Sequence, residues 1–180
     1  MNSARNSGLV GLLVALLWSL GWPGTVGAQS RGLLCQTRKI LSTTPLGDVP
    51  NDLALSGDTV FVADRSQGLL TFDISDPESP QLLSTLPLAD GAYAVQVVGS
   101  YAVVGGSLDL HVIDIANPAS PTVVGTLALP GKAERVTIFD GIAYIPVNNA
   151  GLVIADITGP DNPTLLDVFD PGHSVHNVAI

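Results

Sequence analysis

Basic side chains are scarce in this chain: seven Lys and Arg stand against sixteen Asp and Glu in 180 residues, a formal net charge of −9. Nucleic-acid binders need positive surface to neutralise phosphates, so this balance excludes that partner. Its plain meaning is solubility, and its sharper one attraction for cations or basic partners. Cysteine occurs once, as Cys35. That excludes an intrachain disulfide framework and any C-x-x-C redox or zinc motif, and leaves a free thiol or a bond to another molecule. Leu34 precedes it, where a lipid-modified cysteine takes a small residue. The chain has no G-x-S-x-G, no H-E-x-x-H and no phosphate-cradling glycine loop, so no catalytic residue, metal ligand or cofactor is assigned from motifs. Sustained apolar spacing of three and four residues is missing after the first segment, and no helix is expected there.

The first segment has its own logic. Arg5 supplies a short positive start, Leu9 to Leu20 form an apolar run, and Val26-Gly27-Ala28 offers small residues to a signal peptidase. That order is a secretory signal peptide over 1–28, cut after Ala28. A membrane span needs about 20 apolar residues, and Gly21, Pro23 and Gly24 interrupt this run too early. The expectation is an exported chain, secreted or held at the cell surface, with no membrane span once the signal is removed. A lead-in of 29–46 follows. Losing Arg5 makes the mature chain one charge more negative.

What the chain has in abundance is itself. LTFDISDPESPQLLSTL (70–86), HVIDIANPASPTVVGTL (111–127) and VIADITGPDNPTLLDVF (153–169) superimpose. Asp73, Asp114 and Asp156 fall in register at spacings of 41 and 42, as do Ile74, Ile115 and Ile157 and the pairs opened by Pro77, Pro118 and Pro160. A period of this length dictates a repeat architecture. Each unit holds four short segments rich in Val, Ile, Leu and Tyr between turn residues; in the second these are Val95–Val98, Tyr101–Val104, Leu110–Ile113 and Val123–Leu127. That composition is the strand-and-turn signature. Gly57-Asp58 and Gly99-Ser100 make tight hairpins, and D-I-x-x-P-x-x-P makes a rigid corner before the fourth strand.

Four strands every 41–42 residues make a β-propeller blade, which must pack on neighbours to bury its faces. GLLTFDISDPESP, LHVIDIANPASP and GLVIADITGPDNP, with YAVV and IAYI ahead of the latter two, resemble the LVIVD-repeat family of extracellular β-propeller proteins. The resemblance runs from Gly47 to the end and implies a scaffold, not an activity. The fold class expected is therefore all-β, a propeller with blades at about 48–90, 91–131 and 132–172, and 173–180 opening a fourth. A β-sandwich is the alternative. Propellers close with four to eight blades, so the ring is expected to be incomplete, its remaining blades coming from a longer chain or from self-association.

Where repeats agree, residues that differ mark sites. The innermost strand of a propeller lines its channel, and the residues leading into it are Asn51-Asp52, Tyr93-Ala94, Glu134-Arg135 and His176-Asn177. Polar positions that change from blade to blade beside constant strand cores (Leu53, Val95, Val136, Val178) suit a ligand-lining ring, though solvated loops read the same way. Asn51, Asp52, Tyr93, Glu134, Arg135, His176 and Asn177 are the ligand-lining candidates. His173 and His176 form H-x-x-H, but three residues apart on a strand they face opposite ways, so no metal site follows. His111 replaces Leu70 and Val153 of the sister repeats and reads as a half-buried histidine without ligand duty. Asp73, Asp114 and Asp156 recur in every unit, and repetition argues for a structural turn role, shared with Pro77, Pro118 and Pro160. Asp76, Glu78, Asp161 and Asn162 lack the spacing of a calcium loop.

Two functions fit. One is a non-catalytic exported module binding a protein or glycan. The other is an exported propeller enzyme (a hydrolase, lyase or metal-dependent oxidoreductase) whose site is completed by further blades. The missing motifs favour the first.

Overall fold

A computed structural model describes Thr43, residues 50–173 and residues 175–178. The expected signal peptide, Cys35 and, apart from Thr43, the expected lead-in lie outside the described residues.

Twelve strands follow one another: β1 (Pro50–Ser56), β2 (Thr59–Asp64), β3 (Gly68–Asp73), β4 (Gln81–Leu86), β5 (Ala94–Val98), β6 (Tyr101–Gly105), β7 (Asp109–Asp114), β8 (Thr122–Ala128), β9 (Thr137–Phe139), β10 (Ile142–Val147), β11 (Gly151–Asp156) and β12 (Thr164–Phe169). They form three four-stranded antiparallel meanders, β1–β4, β5–β8 and β9–β12, with neighbours in sheet order the same as in the chain. No helix occurs among the described residues, and none there is long and apolar enough to cross a membrane. The architecture is an arc of three β-propeller blades.

The hairpins follow from local chemistry. Gly57 and Gly99 both take φ of +56°, which a turn opening on a positive φ requires, while the third hairpin uses Asp140 (φ 49°) and Gly141 (φ 76°). In every blade the outer pair slips once, between Thr71/Phe72, Val112/Ile113 and Ile154/Ala155. The slip leaves one extra residue on the outer strand (Leu83, Val124 and Leu166), which bends its edge.

Alternation along the two middle strands gives each blade two apolar faces. Phe61, Ala63 and Leu69 of the first blade pack with Ala102, Val104 and Ile113 of the second in one cluster. Val103, Leu110 and Val112 of the second pack with Ala143, Ile145, Val153 and Ala155 of the third in another. These two seams, with a third cluster of Val60, Val62, Leu70, Phe72 and Ile74 on the other face of the first blade, are the core.

The inner strands are also laced directly. Asp52 Oδ2 accepts the Val95 amide at 3.1 Å, Gln96 Oε1 accepts the Ile138 amide at 3.0 Å, and Thr137 Oγ1 lies 3.5 Å from the Val178 carbonyl. The segment expected to open a fourth blade therefore runs beside β9. Residues 175–178 form no strand, because a strand exists only through paired backbone groups and no described segment supplies the second set.

Candidate functional site

The connections between blades cross the ends of β6 and β10, and this brings the ligand-lining candidates to one end of the sheets. Tyr93 N donates to the Gly105 carbonyl at 2.8 Å, and Glu134 N donates to the Pro146 carbonyl at 2.8 Å. Tyr93 and Glu134 thus hold matching places on adjacent blades. Lys132 joins them: its Nζ lies 5.3 Å from the centre of the Tyr93 ring and 3.0 Å from Glu134 Oε1. A cation over an aromatic face and an exposed ion pair are each worth about 1 kcal/mol or less at the surface. The cluster therefore presents three chemistries without being locked.

The other candidates divide. Asn51 and Asp52 hold the seam: Asn51 Nδ2 donates to the Ala92 carbonyl at 3.1 Å, and Asp52 binds the Val95 amide as above. Arg135, His176 and Asn177 are exposed and are not drawn into the Tyr93–Lys132–Glu134 cluster. His173 lines a separate shallow cavity of about 290 Å³ with Asn149, Gly151, Asp170 and Gly172.

At the same end lies a group that motif reading missed. Asp90, in the connection from β4 to β5, accepts the amides of Leu108 and Asp109 on Oδ2, both at 3.1 Å. His111 Nε2 lies 2.9 Å from its Oδ1. The Asp90 carbonyl takes the Ser107 hydroxyl at 2.6 Å. Gly106 makes this seat, since any Cβ there would collide with the Asp90 carboxylate. Burial raises the Asp90 carboxyl, but the His111 ring and the two amides outweigh it and hold the group below its ordinary value. Asp90 is therefore ionised at neutral pH and accepts only, so the proton on His111 sits at Nε2. Its Nδ1 is buried and has no hydrogen-bond partner among the described residues. A second acid, Asp109, has a ligand-type oxygen within 4.8 Å of donors on both Asp90 and His111.

The LVIVD repeat family matches residues 47–86, 91–128 and 130–170, which are the three blades just described. The chain belongs to the LVIVD-repeat family. No curated protein matches it. Among solved structures, the computationally designed Ika4 protein is similar at TM-score 0.59 and 17% identity, over 72% of this chain and 77% of Ika4. The designed Ika8 protein is similar at TM-score 0.57 and 17% identity, over 74% of this chain and 41% of Ika8. BamB from Moraxella catarrhalis is similar at TM-score 0.53 and 18% identity, over 67% of this chain and 37% of BamB. At these identities the likeness carries the fold alone, and the chain spans less than half of Ika8 and of BamB.

The LVIVD repeat's own acids have local work. Asp73, Asp114 and Asp156 each accept on Oδ1 the amide two residues on, from Ser75, Ala116 and Thr158, all at 2.8 Å. The Ser75 amide, then its hydroxyl, lowers the Asp73 carboxyl. The Thr158 hydroxyl, then its amide, lowers the Asp156 carboxyl. Ile74, Ile115 and Ile157 then close each LVIVD corner, their amides reaching the carbonyls of Asp58, Ser100 and Gly141 at 2.8–2.9 Å. Asp76 Oδ1 accepts the Glu78 amide at 3.0 Å, and Asn117 Oδ1 the Ala119 amide at 3.2 Å. Pro77, Pro118 and Pro160 sit half-buried in these corners.

Proposed function

We propose that this LVIVD-repeat propeller is an exported, non-catalytic module that binds a protein or glycan through the end of its blades bearing Tyr93, Lys132 and Glu134. One observation carries the reading: matching positions on adjacent blades hold an aromatic ring and a carboxylate, bridged by one lysine at 5.3 Å and 3.0 Å. Structural duty demands sameness from blade to blade, as at Asp73, Asp114 and Asp156; here the scaffold is kept and the side chains differ. Aromatic, cationic and anionic groups within one half-exposed patch suit a polar ligand with an apolar face, such as a sugar ring or a peptide side chain. Arg135, His176 and Asn177, exposed at the equivalent positions of the repeats, are further candidates for the same rim. Export is supported by the apolar run from Leu9 to Leu20 followed by Val26-Gly27-Ala28.

The test is direct binding of the full chain to arrays of neutral oligosaccharides and of peptides, repeated with Tyr93→Ala and Lys132→Ala. Retention of a ligand with about tenfold loss in either variant supports the reading. Binding unaffected by both variants, or turnover of the retained ligand, sinks it. For export, the N-terminal sequence of material secreted by the source cells is expected to start at Gln29.

A further inference from the structure

The three sister corners between the second and third strands of each blade are built differently in one place. In the first and third blades the third strand opens on Gly68 and Gly151, and two residues later carries Leu70 and Val153. In the second blade those places hold Asp109 and His111. Two residues apart on a strand, they face the same side. The connection laid over them carries Asp90, where the next connection carries Gly131. Three departures from the scaffold thus meet at one point, although the sister blades show that glycine and an aliphatic residue suffice to build it.

Charge makes the point sharper. Two carboxylates lie within reach of each other, and no Lys or Arg pairs with either among the described residues. Asp90 is fully engaged, whereas the Asp109 carboxylate accepts no hydrogen bond there. His111, only 9% exposed, is set into the mostly apolar seam between the first two blades, and its Nδ1 has no partner among the described residues.

We propose that Asp90, Asp109 and His111 form a binding site for a first-row divalent cation, with Zn²⁺ as the type. One imidazole and two carboxylates are the mixed N/O donor set such ions take, whereas Ca²⁺ and Mg²⁺ take oxygen alone. Tetrahedral donors at about 2.0–2.2 Å from a zinc ion stand about 3.3 Å apart. His111 Nε2 and Asp90 Oδ1, at 2.9 Å, need to open by only a few tenths of an ångström. Asp109, half-buried and unengaged, swings in from its place within 4.8 Å. The ion takes the place of the proton between Nε2 and Oδ1, and that proton moves to Nδ1. Since Nδ1 lacks a partner in either tautomer, binding adds no new unpaired atom. Three protein ligands leave one position open to water or an outside donor, and the ion pins the β4–β5 connection to the start of β7. This proposal departs from the reading of His111 as a residue without ligand duty. This site stands independently of the binding face proposed above.

The experiment is calorimetric titration of the chelator-stripped full chain with Zn²⁺, with Ca²⁺ as the contrasting ion and Co²⁺ absorption reporting the coordination. The variants are His111→Leu, which installs the sister blade's residue, and Asp109→Asn, which keeps size and fold. The expected result is one Zn²⁺ per chain at micromolar affinity or tighter, about tenfold or more weaker in Asp109→Asn and lost in His111→Leu. No such binding by the full chain overturns the proposal. So does affinity unchanged in His111→Leu, which would assign the ion to Cys35 or to His173 and His176, and so does Ca²⁺ binding equal to Zn²⁺. Should His111→Leu not fold, unchanged affinity in Asp109→Asn is the overturning result.

Discussion

The two seams between blades are made from the same parts, yet the buried side chains of one are all apolar and those of the other are not. Between the second and third blades the interior is Val103, Leu110 and Val112 against Ala143, Ile145, Val153 and Ala155, all at most 1% exposed. Between the first and second, the same lattice admits Thr71 at 0% and His111 at 9% exposure, each with an orphaned polar atom. Thr71 matches Val112 in the neighbouring blade, and His111 matches Leu70 and Val153. The repeat thus stabilises itself through one seam and tolerates chemistry in the other. Stability and chemical specialisation are held at different addresses of one scaffold.

Three changes break or sharpen that contrast. Leu110→Ala empties a fully buried position in the apolar seam, and large-to-small core changes cost about 2–5 kcal/mol; urea unfolding is expected to show a loss in that range. Asp90→Ala strips partners from the Leu108 and Asp109 amides and from His111, with an expected cost of about 1–3 kcal/mol in the same assay. Thr71→Val gives the first seam the residue of the second. Removing an unpaired buried hydroxyl should raise stability by about 1 kcal/mol, visible as a higher melting temperature; a lower one would mean that the hydroxyl has work in the seam.

The smallest effect concerns acid. Asp73 and Asp156 are half-buried residues with folded-state values below the ordinary 3.8. Their contribution is therefore present above that value and is lost as pH falls through the lowered ones. The double variant Asp73→Asn with Asp156→Asn keeps the turn bond, as Asn117 does with Ala119, but no longer titrates. Its melting temperature should depend less on pH below about 4 than that of the parent. Identical slopes would show that these turns do not contribute to acid unfolding.

Local features were legible in the sequence. The strands of the second unit extend by only one or two residues beyond Val95–Val98, Tyr101–Val104, Leu110–Ile113 and Val123–Leu127, because alternation and turn residues act over a few positions. The i→i+2 bonds of Asp73, Asp114 and Asp156 are equally short-range. The Asp90–His111 contact spans 21 residues and arises only when the connection folds back over a turn. Its trace was nevertheless present: Gly106–Asp109 is one residue shorter than Asp64–Gly68 or Val147–Gly151, and His111 stood out among its sisters. Lys132 left no such trace, since it matches Gly91 in the preceding connection and gains meaning only from the ring and carboxylate on either side.

The bonds that lace the inner strands meter the chain. Asp52 to Val95, Gln96 to Ile138 and Thr137 to Val178 join residues 43, 42 and 41 apart, so each blade sets the starting point of the one after it. A nearest-neighbour array of this kind extends by whole modules without disturbing those already docked. A single residue inserted into an inner strand instead turns its side chains to the opposite face and severs the tether to the next. Growth or shrinkage of such a molecule is therefore quantised. A gain of 41 or 42 residues preserves the count, whereas a gain of one destroys it.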